Sequence, residues 1–208
     1  PSTIQLKKII PALEALTPLG IPISIDTQSS KVASECLANG AQIINDISGL
    51  KDPEMASVIA NHNAKVIIMH MKGTPKTMQK RCKYDFLIGE ICDALLKKAA
   101  YAETKGVLKN NIILDPGIGF AKTAEQCFEI IKEFSAFRSL GYSLLAGPSR
   151  KSFLSHIVDK PPAERDAATI GAACLCAAAG AEYLRLHRGR DNWDAVKIAA
   201  ACFQVHSS

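Results

Sequence analysis

Six short apolar runs with strand character recur along this chain, and each of them stops at polar residues. In chain order they read IPISIDT, AQIINDIS, AKVIIMHM, NIILDPGIGF, YSLLAGPSRKS and EYLRLHR. Segments with apolar residues at helical spacing flank or separate them, at 5–17, 31–40, 52–62, 85–105, 123–139, 163–179 and 192–203. Short apolar strands that alternate with helices are typical of a parallel sheet covered on both faces. The chain is therefore predicted to have an α/β fold.

The number of strands narrows the fold class further. We predict strands at 22–26, 42–47, 64–71, 111–115, 142–146 and 182–187, and a long polar loop at 71–84. A complete (β/α)8 TIM barrel takes about 250 residues. Six strands behind a leading helix therefore predict such a barrel without its first two strands, as a single domain over 1–208. An open doubly wound sheet is the alternative, although the GxGxxG turn that it would require does not occur.

The charge balance argues against nucleic acid as a partner. The 25 Lys and Arg residues exceed the 20 Asp and Glu residues by only five, and the basic residues are scattered along the chain. Nucleic-acid binding needs basic residues gathered on one face, so an anionic small molecule is the better expectation. No apolar run reaches about 18 residues and no secretory signal opens the chain, so we expect no membrane segment. A cytoplasmic location is predicted, or an organellar one in a eukaryote.

The seven cysteines indicate a reducing compartment. They lie mostly in apolar helical stretches, at Cys36, Cys82, Cys92, Cys127, Cys174, Cys176 and Cys202. An odd number at such spacings predicts packed, reduced thiols rather than a disulfide framework. A zinc site at Cys174 and Cys176 is not expected, because structural zinc needs about four convergent ligands.

The ends of the first three strands carry candidate ligand-binding side chains, since parallel α/β proteins place their chemistry at the carboxyl ends of strands. Asp26 is either a ligand-facing carboxylate or a cap for the next helix. Asn45 can donate to and accept from a flat heterocycle, whereas Asp46 points the opposite way by strand alternation and should tie down a loop. Met69 suits a pocket wall, and His70 is predicted to be structural.

The next two strand ends carry stronger signals. Asp115 precedes a tight Pro and Gly turn, and an ionised Asp can accept two parallel N–H bonds from a 2-amino-4-oxo heterocycle. Arg150 and Lys151 open a predicted helix, where the helix dipole disfavours cations unless an anion lies nearby. Lys151 could donate to a ring carbonyl or nitrogen. Ser152 and the first backbone N–H groups of that helix could bind a carboxylate.

The last predicted strand carries a second candidate anion site. Arg185 and His187 are two residues apart, so both should point to the same side of this strand. Their side chains suit phosphate oxygens, Arg by its bidentate fork and His as a donor. Arg188 and Arg190 are predicted to be solvated loop charges.

Taken together, these motifs resemble the dihydropteroate synthase family. The matching stretches are SIDT (24–27), GAQIINDISGL (40–50), MHMKGTPKTMQ (69–79), ILDPGIGFAKT (113–123), GPSRKSFL (147–154) and RLH (185–187). They occur in the family's order and spacing over nearly the whole chain. The resemblance implies a transferase of folate biosynthesis, the target of sulfonamides, with a (β/α)8 barrel. Its members condense 6-hydroxymethyl-7,8-dihydropterin pyrophosphate with para-aminobenzoate to give 7,8-dihydropteroate and pyrophosphate.

The resemblance also assigns roles to residues by position. It implies a pterin pocket, a pyrophosphate end and a para-aminobenzoate end. The pterin residues are Asp26, Asn45, Met69, Asp115, Gly147 and Lys151, the pyrophosphate residues are Arg185 and His187, and the para-aminobenzoate residues are Phe120, Lys151 and Ser152. The implied catalytic residues are Asp26, Asp115, Lys151, Arg185 and His187. In the family the C–O bond to pyrophosphate breaks largely before the amine attacks.

The chain departs from the family pattern at its beginning. The family's first strand carries an Asn that helps to hold Mg²⁺ and pyrophosphate, and its second is followed by a Ser-Thr-Arg-Pro loop. Neither occurs here, so we expect no metal ligand in this chain, an inactive 208-residue polypeptide and an open sheet edge. Because position 1 is Pro1, we expect the chain to be a piece of a longer protein. The resemblance further implies a homodimer and allows fusion behind a pterin pyrophosphokinase.

Two other functions remain open on the sequence alone. A methyltetrahydrofolate-binding methyltransferase barrel would share the carboxylate and amide strand ends, although the SRK loop and the RLH motif favour pyrophosphate chemistry. A non-catalytic pterin-binding module is the second alternative. Turnover with para-aminobenzoate would separate both from a synthase.

Overall fold

A computed structural model describes residues 2–204 of the chain, apart from the side chains of residues 203 and 204. In this range the α-helices are α1 (Ser2–Leu16), α2 (Ser30–Ala38), α3 (Met55–Asn61), α4 (Leu87–Thr104), α5 (Ala124–Lys132), α6 (Asp166–Ala178) and α7 (Gly189–Gln204). The strands are β1 (Ser24–Asp26), β2 (Ile43–Asp46), β3 (Lys65–Met69), β4 (Ile112–Asp115), β5 (Ser143–Ala146) and β6 (Tyr183–Leu184). This alternation confirms the predicted α/β fold.

The strands are parallel wherever their register is defined. Asp26 in β1 lies opposite Asn45 in β2, and Asn45 in turn lies opposite Ile67 in β3. Ala146 in β5 lies opposite Leu184 in β6. Within the first unit β1, β2 and β3 are adjacent in chain order, and within the second unit β5 pairs with β6. Parallel pairing places the carboxyl ends of neighbouring strands side by side, which is where the polar strand ends were expected to meet.

The chain groups into two compact units. The first extends to His70 and includes Ala94–Leu114, and the second consists of Met71–Asp93 and the residues from Asp115 onward. The prediction of one domain over 1–208 stays a prediction, and its ends, Pro1 and 205–208, lie outside the described residues.

Each unit has an apolar core of its own. Val32, Ile44 and Met55 are fully buried in the first unit. In the second unit Phe134 and Phe137 are fully buried, and their rings meet edge to face with centroids 5.7 Å apart. Ile44 lies in β2, where a β-branched side chain packs well on the pleated surface.

The predicted helix at 123–139 is only partly α-helical. It begins as predicted, because Thr123 and Gln126 form a reciprocal capping box at the start of α5. After Lys132 the chain continues as a 3-10 helix over Phe134–Leu140. Its buried side chains, Phe134, Phe137 and Leu140, recur every three residues, which matches the three residues per turn of a 3-10 helix. The change in apolar spacing therefore explains the change in helix type.

The predicted strand at 182–187 was too long. Only Tyr183–Leu184 is a strand, although Arg185 still donates its backbone N–H to the carbonyl of Ala146. Beyond that bond the backbone N–H of His187 donates to the Ser149 hydroxyl, 3.2 Å away, instead of to a strand carbonyl. Arg185 and His187 both lie beyond β6, so the expectation that their side chains point to the same side stays a prediction.

Two further features concern the protein as a whole. No helix within residues 2–204 is long and apolar enough to cross a membrane. All seven cysteines are free thiols, as predicted. Burial raises the pKa of the Cys176 thiol to about 12, which suits a packed residue rather than a reactive one.

Candidate active site

In the first unit, Asp26 and Asn45 meet at the ends of adjacent strands. Their Cα atoms are register partners, and Nδ2 of Asn45 donates to Oδ1 of Asp26 over 2.5 Å. Asn45 is 4% exposed, whereas Asp26 is exposed. Both line a cavity of about 400 Å³, together with Gln5, Thr27, Gln28, Ser29 and Ile47. A carboxylate and an amide on one cavity wall can together bind a ring with mixed donors and acceptors.

Asp46 has a structural role, as strand alternation predicted. It is fully buried, and its Oδ1 atom accepts from the backbone N–H and the hydroxyl of Ser48, at 2.8 and 2.6 Å. Its Oδ2 atom accepts from the backbone N–H of Leu50 at 2.8 Å. Both oxygens are thus used within its own loop, so this carboxylate is committed to holding residues 46–50.

The end of β3 is held by a lysine that the sequence did not single out. Lys98 donates from Nζ to the carbonyl of Met69 at 3.2 Å. Burial lowers the pKa of Lys98, and the charge of Asp46 opposes this shift. Gly49 has φ +67, and a Cβ there would lie 1.9 Å from Nζ of Lys98 and 2.9 Å from the Met69 carbonyl oxygen. Only glycine fits between the loop and the lysine.

Met69 and His70 are both buried, with exposures of 1% and 4%. The structure places Met69 in the core at the end of β3, so its role as a pocket wall stays a prediction. Burial of His70 agrees with the expectation that it is structural.

In the second unit, Asp115 ends β4 inside a cluster of cations. It is 7% exposed, and its Oδ1 atom accepts from the backbone N–H of Gly117 at 2.7 Å. Within residues 2–204 its Oδ2 atom has no hydrogen bond and is not among the buried polar atoms that lack a partner, so this oxygen is accessible to a ligand. Burial raises the pKa of Asp115, and this shift is opposed by Lys151, the Gly117 N–H, Lys122 and Arg185, in that order.

Lys151 links the loop after β5 to the loop after β4. Its Nζ atom donates to the carbonyl of Ile118 and lies 4.4 Å from the centroid of the Phe120 ring. A Cβ added to Gly147 would lie 3.9 Å from Nζ of Lys151 and 3.7 Å from Cβ of Arg185. The structure thus brings Asp115, Phe120, Gly147, Lys151 and Arg185 together in one unit.

Arg150 does not require an anionic ligand, contrary to the expectation from two cations at a helix start. Its guanidinium forms a bidentate ion pair with Asp166, with N···O distances of 2.7 and 2.9 Å. This local partner supplies the negative charge that a ligand was expected to bring. The helix itself is a 3-10 helix, Ser152–His156, with Lys151 as its N-cap. Ser152 is exposed at its first position.

His187 is held by a residue that sequence reasoning passed over. The Ser149 hydroxyl lies 2.8 Å from Nδ1 of His187 and also accepts the backbone N–H of His187. Ser149 is 8% exposed, while the side chains of Arg185 and His187 are exposed. Arg188, predicted to be solvated, is exposed but lies 3.5 Å from Asp166 and 3.6 Å from Asp191. The exposed side chains after β6 can meet a solvent-facing anion.

Lys122, like Lys98 and Ser149, was not singled out by the sequence analysis. It is 4% exposed, and Nζ donates to the carbonyl of Phe120 at 2.9 Å. Burial lowers the pKa of Lys122 to about 7, against the opposing charge of Asp115. The sequence does contain a signal for Lys122. This lysine immediately precedes Thr123, the N-cap of α5, where the helix dipole disfavours a cation.

No cluster of three or more His, Cys, Asp or Glu side chains in the described range could hold a metal ion. The cationic side chains near the predicted pyrophosphate end suit an anion, and Asp166, the carboxylate beside Arg188, is already paired with Arg150. The expectation of Mg²⁺ stays a prediction.

Nearly the whole chain is similar in sequence to known proteins of one family. A family model described as pterin binding enzyme matches residues 2–187. The dihydropteroate synthase of Synechocystis sp. is 43% identical over 203 residues, which cover 96% of this chain and 70% of that protein. The mitochondrial folate synthesis bifunctional protein of Arabidopsis thaliana is 38% identical over 223 residues, covering 98% of this chain but 40% of that protein.

Solved structures show the same similarity. Dihydropteroate synthase from Thermus thermophilus in complex with 6HMPPP superposes with a TM-score of 0.92 at 31% identity. That match covers 97% of this chain and 80% of the other. The same enzyme in complex with 4-aminobenzoate gives a TM-score of 0.88 at 32% identity, over 92% of this chain and 75% of the other.

Proposed function

This chain belongs to the pterin-binding enzyme family, and we propose that it performs the dihydropteroate synthase reaction. Para-aminobenzoate displaces the pyrophosphate of 6-hydroxymethyl-7,8-dihydropterin pyrophosphate to give 7,8-dihydropteroate. The observation that carries the proposal is the state of Asp115, a buried carboxylate with one unbonded oxygen among three cationic side chains. The names of the relatives and of the two ligand complexes support the same reaction.

Candidate pterin-binding residues occur in each unit. In the second unit Asp115 accepts N–H bonds from the 2-amino-4-oxo ring, and Lys151 donates to a ring carbonyl or nitrogen beside Gly147. In the first unit Asp26 and Asn45 present a carboxylate and an amide to their cavity, with Met69 as a predicted wall. Each side chain matches a polar edge of this heterocycle.

The chemical step needs stabilisation of two opposite charges. The C–O bond breaks with its electron pair leaving on pyrophosphate, and the cationic pterin is stabilised by Asp26 and Asp115. The lone pair of the arylamine nitrogen then forms the C–N bond, and that nitrogen loses one proton. Such preplaced charge supplies the largest catalytic contribution in many enzymes.

The leaving group and the second substrate occupy different groups of residues. Arg185 and His187 receive the pyrophosphate, and Ser149 orients the His187 ring through Nδ1. Phe120 and Ser152 bind para-aminobenzoate, with Lys151 between the two substrates over the Phe120 ring.

A turnover assay tests this proposal. The full polypeptide that the gene encodes should convert the two substrates to dihydropteroate and release one pyrophosphate for each product. Lys151→Met should abolish most turnover, whereas Lys132→Met, which removes an exposed lysine of α5, should not. Pterin binding without turnover would favour a non-catalytic module, and methyl transfer from methyltetrahydrofolate without dihydropteroate would favour the methyltransferase barrel.

Several finer expectations remain predictions. They are the two additional strands that would complete a (β/α)8 barrel, the inactivity of the 208-residue polypeptide alone, the homodimer, the pyrophosphokinase fusion and the cytoplasmic or organellar location. Dihydropteroate formation by the 208-residue chain at the rate of the full polypeptide would contradict the expected inactivity of the shorter chain.

A further inference from the structure

Lys122 is a buried lysine for which the proposed reaction has no use. Its side chain is 4% exposed and lies next to Thr123, the N-cap of α5. A cation is disfavoured at a helix N-terminus, and burying an ammonium group costs free energy unless it has partners. A Lys at this position therefore needs a compensating interaction. The hydrogen bond from Nζ to the Phe120 carbonyl, at 2.9 Å, supplies one.

The loop between β4 and α5 is held at four consecutive residues, 118–121. Lys151 and Lys122 donate to the carbonyls of Ile118 and Phe120, and the Tyr84 hydroxyl donates to the carbonyl of Ala121 at 3.0 Å. The backbone N–H of Gly119 donates to Sγ of Cys127 at 3.2 Å. Each bond acts on the backbone, so together they fix the direction of the Cα–Cβ bond of Phe120, the one aromatic residue of this segment.

Phe120 is held by two lysines in different ways. Lys122 holds its carbonyl from the side of α5, and Lys151 lies 4.4 Å from the centroid of its ring. The carbonyl and the ring belong to one residue, so a displacement of the Phe120 backbone after loss of the carbonyl bond would move the ring away from Lys151.

We propose that Lys122 is a positioning residue for the aromatic amine substrate, acting through the Phe120 backbone. Its bond to the Phe120 carbonyl keeps the ring against Lys151, in the orientation that packs on para-aminobenzoate. The inference rests on the proposed function for the identity of that substrate, but the effect on the ring does not. Lys122 itself contacts neither substrate.

Kinetic constants of the full polypeptide test this role. Lys122→Met should raise KM for para-aminobenzoate about tenfold, with KM for the pterin substrate and kcat within about twofold of wild type. Lys122→Gln should recover most of the loss, because its amide N–H can still donate to the carbonyl. Lys132→Met is the matched control, since it removes an exposed lysine from the neighbouring helix. An equal rise in both KM values, or no change, would overturn the proposal.

A double-mutant cycle tests whether the effect passes through Phe120. Phe120→Leu should raise KM for para-aminobenzoate, and adding Lys122→Met should raise it no further, because the ring that Lys122 positions is already absent. Additive effects would overturn the proposal. If Lys122→Met does not fold, Lys122→Leu, which also lacks a donor, replaces it in the same cycle.

A crystal structure of Lys122→Met gives a result that does not depend on activity. The Phe120 ring should leave its place over Nζ of Lys151, and a ring in its original place would overturn the inference. If the wild-type enzyme forms no dihydropteroate, the proposed function is overturned. The position of the Phe120 ring in Lys122→Met would still test whether Lys122 positions that ring.

Discussion

The loops after β2 and β4 are built alike but leave their aspartates in opposite states. Each loop starts with a buried Asp at the end of its strand, Asp46 or Asp115. Each also contains a non-glycine residue in the left-handed region, Leu50 at φ 63 and Ala121 at φ 52. Asp46 uses both oxygens inside its loop, whereas Asp115 bonds through one.

This difference separates a structural carboxylate from a chemical one. Two loop N–H groups and a hydroxyl satisfy Asp46, so a ligand could bind it only by breaking those bonds. Asp115 is instead surrounded by cations, which favour its charge, while burial raises its pKa. Burying the charge of Asp115 is costly for the fold, and such a cost is expected where a ligand completes the site.

The largest expected effect concerns Asp115. Asp115→Asn should lower kcat/KM by about 10²- to 10³-fold, since a neutral amide cannot supply the charge that the cationic intermediate needs. The free energy of unfolding should not fall, because the Asn oxygen can still accept from Gly117 and the cost of burying a charge is removed. Steady-state kinetics and thermal melting check both parts, with the exposed Asp194→Asn as control. A large loss of stability would mean that Asp115 has a structural role, like Asp46.

The complementary substitution at Asp46 should show the opposite pattern. Asp46→Asn turns one acceptor into an N–H donor that faces a loop N–H, so the free energy of unfolding should fall by about 2–3 kcal/mol. kcat per folded molecule should change little. Urea denaturation measures the first quantity, and an active-site titration corrects the second. A 100-fold loss of kcat with unchanged stability would mean that Asp46 acts in the chemistry.

Lys122, in the loop between β4 and α5, should make the stability of the protein depend on pH. The pKa of Lys122 falls to about 7 in the folded protein, so between pH 7 and 10 the unfolded chain binds more protons than the folded one. Stability contributed by this group therefore rises with pH, by about 1 kcal/mol between pH 7 and pH 8. Subtracting the pH profile of Lys122→Met from that of wild type isolates the rise. A flat difference would show that Lys122 is not buried as an ammonium ion.

The smallest change in stability is expected at the Lys72–Glu90 ion pair. This pair lies beside Tyr84, whose hydroxyl donates to the carbonyl of Ala121. Lys72 lies 3.7 Å from the Tyr84 ring centroid and 2.7 Å from Glu90. The hydrogen bond from Lys72, with those from Phe86 and Asp85, lowers the pKa of Glu90 to about 2.

Replacement of Glu90 should therefore show an acid-dependent loss. Glu90→Gln should lower the melting temperature slightly near neutral pH, because the lowered pKa stabilises the fold above the unfolded pKa. The difference from wild type should shrink as pH falls towards 2. Glu103→Gln, an exposed residue of the same helix, is the control. An unchanged difference at low pH would rule out the ion pair as its cause.

Sequence patterns predicted where the strands lie but not the hydrogen-bond partners of the residues at their ends. β1 to β5 lie within the ranges predicted for them, since β-branched runs bounded by Gly, Pro and polar residues are local signals. Alternation along β2 also separated the orientations of Asn45 and Asp46. The last strand was overestimated because His187 bonds to Ser149, which is 38 residues away in sequence.

By itself, the sequence determined the α/β class, the order of strands and helices, and which polar residues stand at the strand ends. Those features depend on apolar periodicity and turn residues, which are local. Only the tertiary structure decided that Asp46 is fully bonded while Asp115 keeps an open oxygen, that Arg150 is paired with Asp166, and that Lys122 and Lys98 are buried donors. These outcomes depend on hydrogen-bond partners and on burial, which the fold assigns when distant segments come together.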